Sequence, residues 1–131
     1  MSKALNWLSA RKLAKGFAKG KFSPLAVAEA CLAQVKAHEP ALNAMALVDE
    51  KTTLAMAEQA TKRWRAKKPL GPMDGVPVLI KDLLLTRGWP TLRGSRTVER
   101  AGAWDNDAPS VARLREGGLV FLGLTTTPEY G

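Results

Sequence analysis

The chain has 131 residues, 46% hydrophobic and 24% charged, an ordinary globular composition that argues against disorder. No run approaches the roughly 18 apolar residues of a membrane span. The single Cys31 excludes an intramolecular disulfide, so a reducing compartment, the cytoplasm, is expected. The net charge of +8 is uneven: residues 1–68 hold 13 Lys/Arg against 5 Asp/Glu, and residues 69–131 hold 7 against 7.

In chain order, residues 3–15 read as a helix with Leu5, Leu8 and Leu13 apolar, and Gly16 and Gly20 punctuate it. Met1 to Lys15 has no uninterrupted apolar segment, so it does not read as a secretory signal. Ser23-Pro24 opens a second helix, with Ser as N-cap and Pro at the first helical position. Ala28, Cys31, Leu32 and Val35 form its apolar stripe, and it is expected to stop near His38, before Pro40. Leu42 to Val48 reads as a short extended or irregular bridge. Residues 50–66 read as a third helix, with Leu54, Ala57, Thr61 and Trp64 on one side. The basic cluster 62–68 falls where that helix ends, where cations complement the helix dipole.

Pro69-Leu70-Gly71-Pro72 marks a change of character: residues 1–68 are helical and basic, and residues 69–131 are punctuated by Gly and Pro and neutral. We read this as a change within one domain. Val76–Ile80 is a strand, and Leu83-Leu84-Leu85 a second strand or a turn. Residues 88–94 are loop. Asp107 is expected to cap a short helix with Val111 and Leu114 facing inward and Gly117-Gly118 ending it. Leu119–Leu122 is a strand without alternation, the pattern of a strand buried on both faces. The expected fold class is α/β: N-terminal helices leading into the first strands of a mixed, doubly covered sheet. Such a sheet needs more strands than this pattern supplies, so the expectation is an N-terminal part of a larger domain.

Lys81 stands out because it directly follows the apolar run Val76-Pro77-Val78-Leu79-Ile80. It is either a strand end meeting water or a lysine meant for burial. Cys31 lies on a helix stripe and reads as a small core residue. His38 at a helix end reads as a dipole partner. Together they leave too few soft ligands for structural zinc, and no cofactor or metal is expected. The basic half could serve a nucleic-acid face, but the cations are scattered, aromatics are few and no nucleic-acid motif is present. Solvated helix surfaces explain it more simply.

The phrase Gly71-Pro72-Met73-Asp74-Gly75-Val76-Pro77-Val78-Leu79-Ile80-Lys81-Asp82 resembles the amidase signature family. So do Pro90-Thr91 with Gly94-Ser95, Asp107 with Val111, Leu114 and Gly118, and Gly123-Leu124-Thr125-Thr126-Thr127-Pro128-Glu129-Tyr130-Gly131. Ser23-Pro24 and Pro40-Ala41-Leu42-Asn43-Ala44 fit as well. The resemblance implies an α/β/α fold around a large mixed sheet, here incomplete. It implies hydrolysis of an amide carbon–nitrogen bond by a serine nucleophile, a second serine in a cis peptide bond, and a lysine, matched by Lys81. A buried lysine is more easily neutral, as a base must be. Asp82 is expected to point away from it, since a facing carboxylate would favour the ammonium.

Both serines belong, in the family pattern, to a Gly/Ser-rich segment that would follow Gly131, so the chain alone is expected to be inactive. Leu124-Thr125-Thr126 departs from the family's Lys-Thr-Asn. Tyr130 and Gly131, following a central strand, are candidates to approach the substrate. A self-contained Ser95–Lys81 dyad, or one using Ser110, is disfavoured because no oxyanion hole is evident. The expected partners are a small-molecule amide substrate, the remainder of the domain and a second copy of the chain. The alternatives are a stand-alone basic binding module and part of the ammonia-releasing subunit of a tRNA-dependent amidotransferase. Strands Val76–Ile80 and Leu119–Leu122 are expected to lack partners on at least one side, so that the chain exposes apolar surface and an open edge.

Overall fold

The computed structural model describes residues 5–131. Helix α1 spans Ala10–Ala18, α2 Pro24–Leu42, β1 Met45–Leu47, α3 Glu50–Arg65, β2 Pro77–Lys81, α4 Pro109–Glu116 and β3 Val120–Thr125. The strands form one mixed sheet in the order β1-β3-β2. β1 runs antiparallel to β3, and β2 runs parallel to it. No described helix is long and apolar enough to cross a membrane.

The helices start where side chains satisfy the free amides of a first turn. Ser9 accepts from Lys12 N, Ser23 from Ala26 N and Asp49 from Thr52 N. The expected helix over residues 3–15 begins outside the described residues. Within them, residues 6–8 form a turn and α1 runs on through Gly16. Gly16 does not break the helix because its bare Cα is the seat of the Phe22 ring: a Cβ there would lie 2.1 Å from that ring.

Helix α2 also differs from expectation. It passes His38 and Pro40 and ends at Asn43, whose φ of 48° is left-handed. Pro40 lacks a backbone N–H to give to the preceding turn. The end is held instead by Glu39, whose carboxylate accepts from Ala44 N and Met45 N at 3.1 and 2.9 Å. These contacts turn the chain into β1, so the expected bridge is an edge strand. For the same reason β3 is central, with a neighbour on each side, and does not lack one as expected.

β3 is buried from Val120 to Leu124, in keeping with its unalternating run. Phe121 and Leu124 pack with Ile80, Trp89 and Val111, while Val120 packs with Ala28 of α2 and Ala57 of α3. A second cluster joins Leu13 and Phe17 of α1 to Val27 and Val76. Thr53 of α3 is fully buried, and its hydroxyl donates to the Phe121 carbonyl at 2.8 Å. β2 is less covered. Ile80 is buried, but Leu79 is 44% exposed, and among the described residues no strand lies beside the outer edge of β2. Residues 83–85 form a turn, not a strand.

Two part-buried charge pairs brace this arrangement. Arg63 of α3 grips Asp74 with both arms, Nε to Oδ2 at 2.7 Å and Nη2 to Oδ1 at 2.6 Å. The Asp74 side chain is 0% exposed. Leu70 N donates to the same carboxylate, and Trp64 Nε1 donates to the Asp74 carbonyl. The hydrogen bond to Asp74 raises the Arg63 guanidinium above its ordinary value, against the opposing effect of burial. Asp107 does not cap α4: Ala108 takes that place without a side-chain cap. Asp107 instead accepts two hydrogen bonds from Arg115 and one from Arg87 N, an ion pair that ties the loop to the helix more firmly than a cap would.

Asp74→Ala leaves Arg63 without its partner and is expected to cost roughly 3–5 kcal/mol in urea unfolding. The Arg115 hydrogen bonds hold the Asp107 carboxyl below its ordinary 3.8, against burial. A depressed folded-state value stabilises the fold above the unfolded value and loses that stability as pH falls through the folded one. Thermal unfolding should therefore show stability dropping below about pH 4. Asp107→Asn should be less stable at neutral pH and lose less on acidification.

Candidate active site

The candidate site lies at the C-terminal ends of the parallel pair β2 and β3. Lys81 is the last residue of β2, and its Nζ donates to the Thr126 carbonyl, just past β3, at 2.6 Å. The amine is exposed, so the expectation of a buried lysine is not met within this chain. The reason is strand geometry. Side chains alternate along β2, so Ile80 enters the core while Leu79 and Lys81 take the open face.

Asp82 turns the other way, as expected. It is buried, and its Oδ1 accepts from Leu92 N at 2.9 Å. Asp82 N donates to the Thr125 carbonyl, continuing the strand pairing by one residue. Asp82 therefore anchors the loop after β2 instead of pairing with the lysine beside it.

That loop returns to the segment after β3. Gly94 has φ +64°, and a Cβ there would lie 2.5 Å from the Thr127 carbonyl oxygen. Tyr130 N donates to the Arg93 carbonyl at 2.8 Å, and both residues hold left-handed φ values, 53° and 57°. Ser95 is 7% exposed, and its hydroxyl donates to Glu129 Oε1 at 2.6 Å. Ser95 Oγ lies 2.8 Å from Thr97 Oγ1, which lies 3.0 Å from the Tyr130 hydroxyl. Each hydroxyl has one proton. With Ser95 donating to Glu129, the series runs one way: Tyr130 to Thr97, Thr97 to Ser95, Ser95 to Glu129.

The structure thus brings Lys81, Tyr130 and Gly131 to one end of the sheet. Gly131 stands beside Leu83, two residues past Lys81, with a virtual Cβ 3.1 Å from Leu83 Cδ1. Tyr130 is 55% exposed. No hydrogen bond joins Ser95 to Lys81, since the serine is committed to Glu129 and the lysine to Thr126. Ser110 lies in the first turn of α4 and is exposed. Leu124, in the place of the family's lysine, is fully buried in the core. Thr126, in the place of its asparagine, bonds the Ala44 carbonyl through both its N–H and its hydroxyl.

Glu129, Thr97 and the partner role of Ser95 escaped sequence reasoning. The only trace was that Ser95 and Glu129 each stood in a motif phrase, in separate ones. Among the described residues, no group of three or more His, Cys, Asp or Glu could hold a metal.

The Amidase family model matches residues 26–131. The chain belongs to the amidase family. An acylamidase from Rhodococcus erythropolis is 39% identical over 127 residues, 97% of this chain and 26% of that protein. A subunit of the glutamyl-tRNA(Gln) amidotransferase from Salinispora arenicola is 39% identical over 128 residues, with 96% and 26% covered. Among solved structures, the peptide amidase from Stenotrophomonas maltophilia superposes with a TM-score of 0.86 at 27% identity, over 95% of this chain and 26% of that one. The amidase chain therefore has the fold expected of it, and it spans about a quarter of the length of the curated relatives it matches.

Gly94→Ala in this amidase chain would force both an unfavourable φ and a clash with Thr127. A loss of about 2 kcal/mol is expected, measured by urea unfolding. The expected loss exceeds that of Gly88→Ala, where φ is also positive but nothing lies within 4 Å.

Proposed function

We propose that this chain is the N-terminal part of an amide hydrolase and supplies Lys81 as its base. The observation that carries the reading is the Lys81 amine at the C-terminal end of a parallel strand, with one N–H taken by the Thr126 carbonyl. A neutral amine held in that way has its lone pair directed elsewhere, toward the open face. Strand ends of parallel sheets are where such folds assemble sites.

The family pattern completes the chemistry. A relay serine gives its proton to Lys81 and takes one from the nucleophilic serine, whose oxygen adds to the amide carbon. The carbon–nitrogen bond breaks, the amine leaves with a proton returned through the same relay, and water releases the acyl group from the serine. Both serines come from a segment outside these 131 residues. That segment would also cover Lys81 and remove it from water, which favours the neutral amine. Tyr130 and Gly131 border the substrate.

The second reading is the ammonia-releasing subunit of a tRNA-dependent amidotransferase. It is favoured by the 39% identity to the Salinispora arenicola protein. Copurification of partner subunits with the longer polypeptide separates it from a self-sufficient amidase. The substrate is a small-molecule amide in the first reading.

Treatment with a fluorophosphonate followed by intact mass measurement tests the proposal. The 131-residue chain is expected to take no adduct. A polypeptide continuing past Gly131 is expected to take one, and Lys81→Ala is expected to slow that labelling at least about a hundredfold, the low end of what a general base contributes. A stoichiometric adduct on the 131-residue chain would overturn the assignment of the nucleophile, and full labelling of the Lys81→Ala variant would overturn the base.

A further inference from the structure

Starting from Lys81, the contacts close on themselves. Its amine holds the Thr126 carbonyl. Three residues along, Glu129 accepts from Ser95. Ser95 N donates to the Leu92 carbonyl, and Leu92 N donates to Asp82, the neighbour of Lys81. Besides the local Ser95–Leu92 turn, the ring has three bridges between separate segments: Lys81–Thr126, Glu129–Ser95 and Leu92–Asp82. Of the three, Glu129–Ser95 joins side chain to side chain, at 2.6 Å. Around it, Tyr130 N on the Arg93 carbonyl and the Tyr130–Thr97 contact repeat the same connection.

We propose that Ser95 and Glu129 are positioning residues for Lys81. Their hydrogen bond fixes the segment after β3 against the loop after β2, and so holds the Thr126 carbonyl where it orients the Lys81 amine. This deepens the reading of Lys81 as the base and rests on it. Two features support positioning over simple bracing. The bridge is short, and its donor is buried in a loop that otherwise has no regular secondary structure. The paired residues Arg93 and Tyr130 are both held left-handed, a cost that a surface loop free to relax would not carry.

The Ser95 hydroxyl is thereby assigned to support, not to nucleophilic attack. As acceptor, the Glu129 carboxylate does not need its charge: an amide oxygen in the same place would still accept. An alanine would not.

The test uses the 131-residue chain itself. Trace labelling with acetic anhydride, then proteolysis and mass spectrometry, reads the rate at Lys81 against exposed Lys36 and Lys51 in the same molecules. It is repeated from neutral to alkaline pH. In Ser95→Ala and Glu129→Ala, the labelling rate at Lys81 relative to the two reference lysines is expected to rise about threefold across the pH range, the factor of an ordinary hydrogen bond. Glu129→Gln is expected to keep the parent profile.

An unmoved Lys81 profile in both alanine variants, with their circular dichroism intact, would overturn the proposal. So would an equal shift in Asp107→Asn, which loosens the fold away from the ring. Where a variant fails to fold, hydrogen exchange on the unaltered chain decides: protection of the Leu92 and Tyr130 amides is expected, and rapid exchange at both overturns the ring. None of these readouts needs amide hydrolysis. If Lys81→Ala in a longer polypeptide kept full activity, the base assignment would fall while the labelling result stood.

Discussion

The buried carboxylate of Asp74 is the contact on which the two parts of this chain meet. It has no exposure to water, and its oxygens are filled by the fork of Arg63 and the amide of Leu70. Its own carbonyl takes the Trp64 indole. An unpaired charge in that position would be far more costly than the pair, so the end of α3 and the turn before β2 are fixed together. Gly118, the residue that leads into β3, packs against the same carboxylate so closely that a Cβ would fall 2.4 Å from Oδ1. One side chain thus sets the starting points of both parallel strands. The positions of Lys81 and Thr126 at the far ends of those strands follow from it.

The elements that could be read from the sequence were those whose cause is local. Ser23-Pro24, the stripe of α3 and the apolar run of β3 each carry their own explanation within a turn or two. The ends of α1 and α2 did not, because tertiary partners outweighed the usual breakers. The ring of Phe22 fills the space that makes Gly16 useful inside a helix. Glu39 reaches forward to β1 and gives the end of α2 a reason to lie beyond Pro40. The cluster at 62–68 reads as a dipole partner, yet one of its members, Arg63, is the ion-pair partner of a residue 11 positions away. Its role depends on distance in space, which charge pattern does not encode.

At the site the division is similar. Lys81 was visible as an anomaly, a cation closing an apolar run, and the motif phrases gave that anomaly a meaning. Its exposure was not visible, because burial is a property of what lies opposite. The direction of Asp82 follows from charge alone. The Ser95–Glu129 bridge joins residues 34 positions apart through loops, where neither periodicity nor propensity carries information.

The sheet is lopsided in a way that gives it a direction. On one side of β3 lies β1, only three residues long and irregular in its register, a blunt margin that offers little to an incoming strand. On the other side lies β2, regular at its far end and, among the described residues, unpaired along its outer margin. Growth of this sheet is therefore polar. The free backbone groups available for further pairing lie along β2, which ends at Lys81. The margin left open to pairing and the amine at the end of the sheet thus belong to one strand.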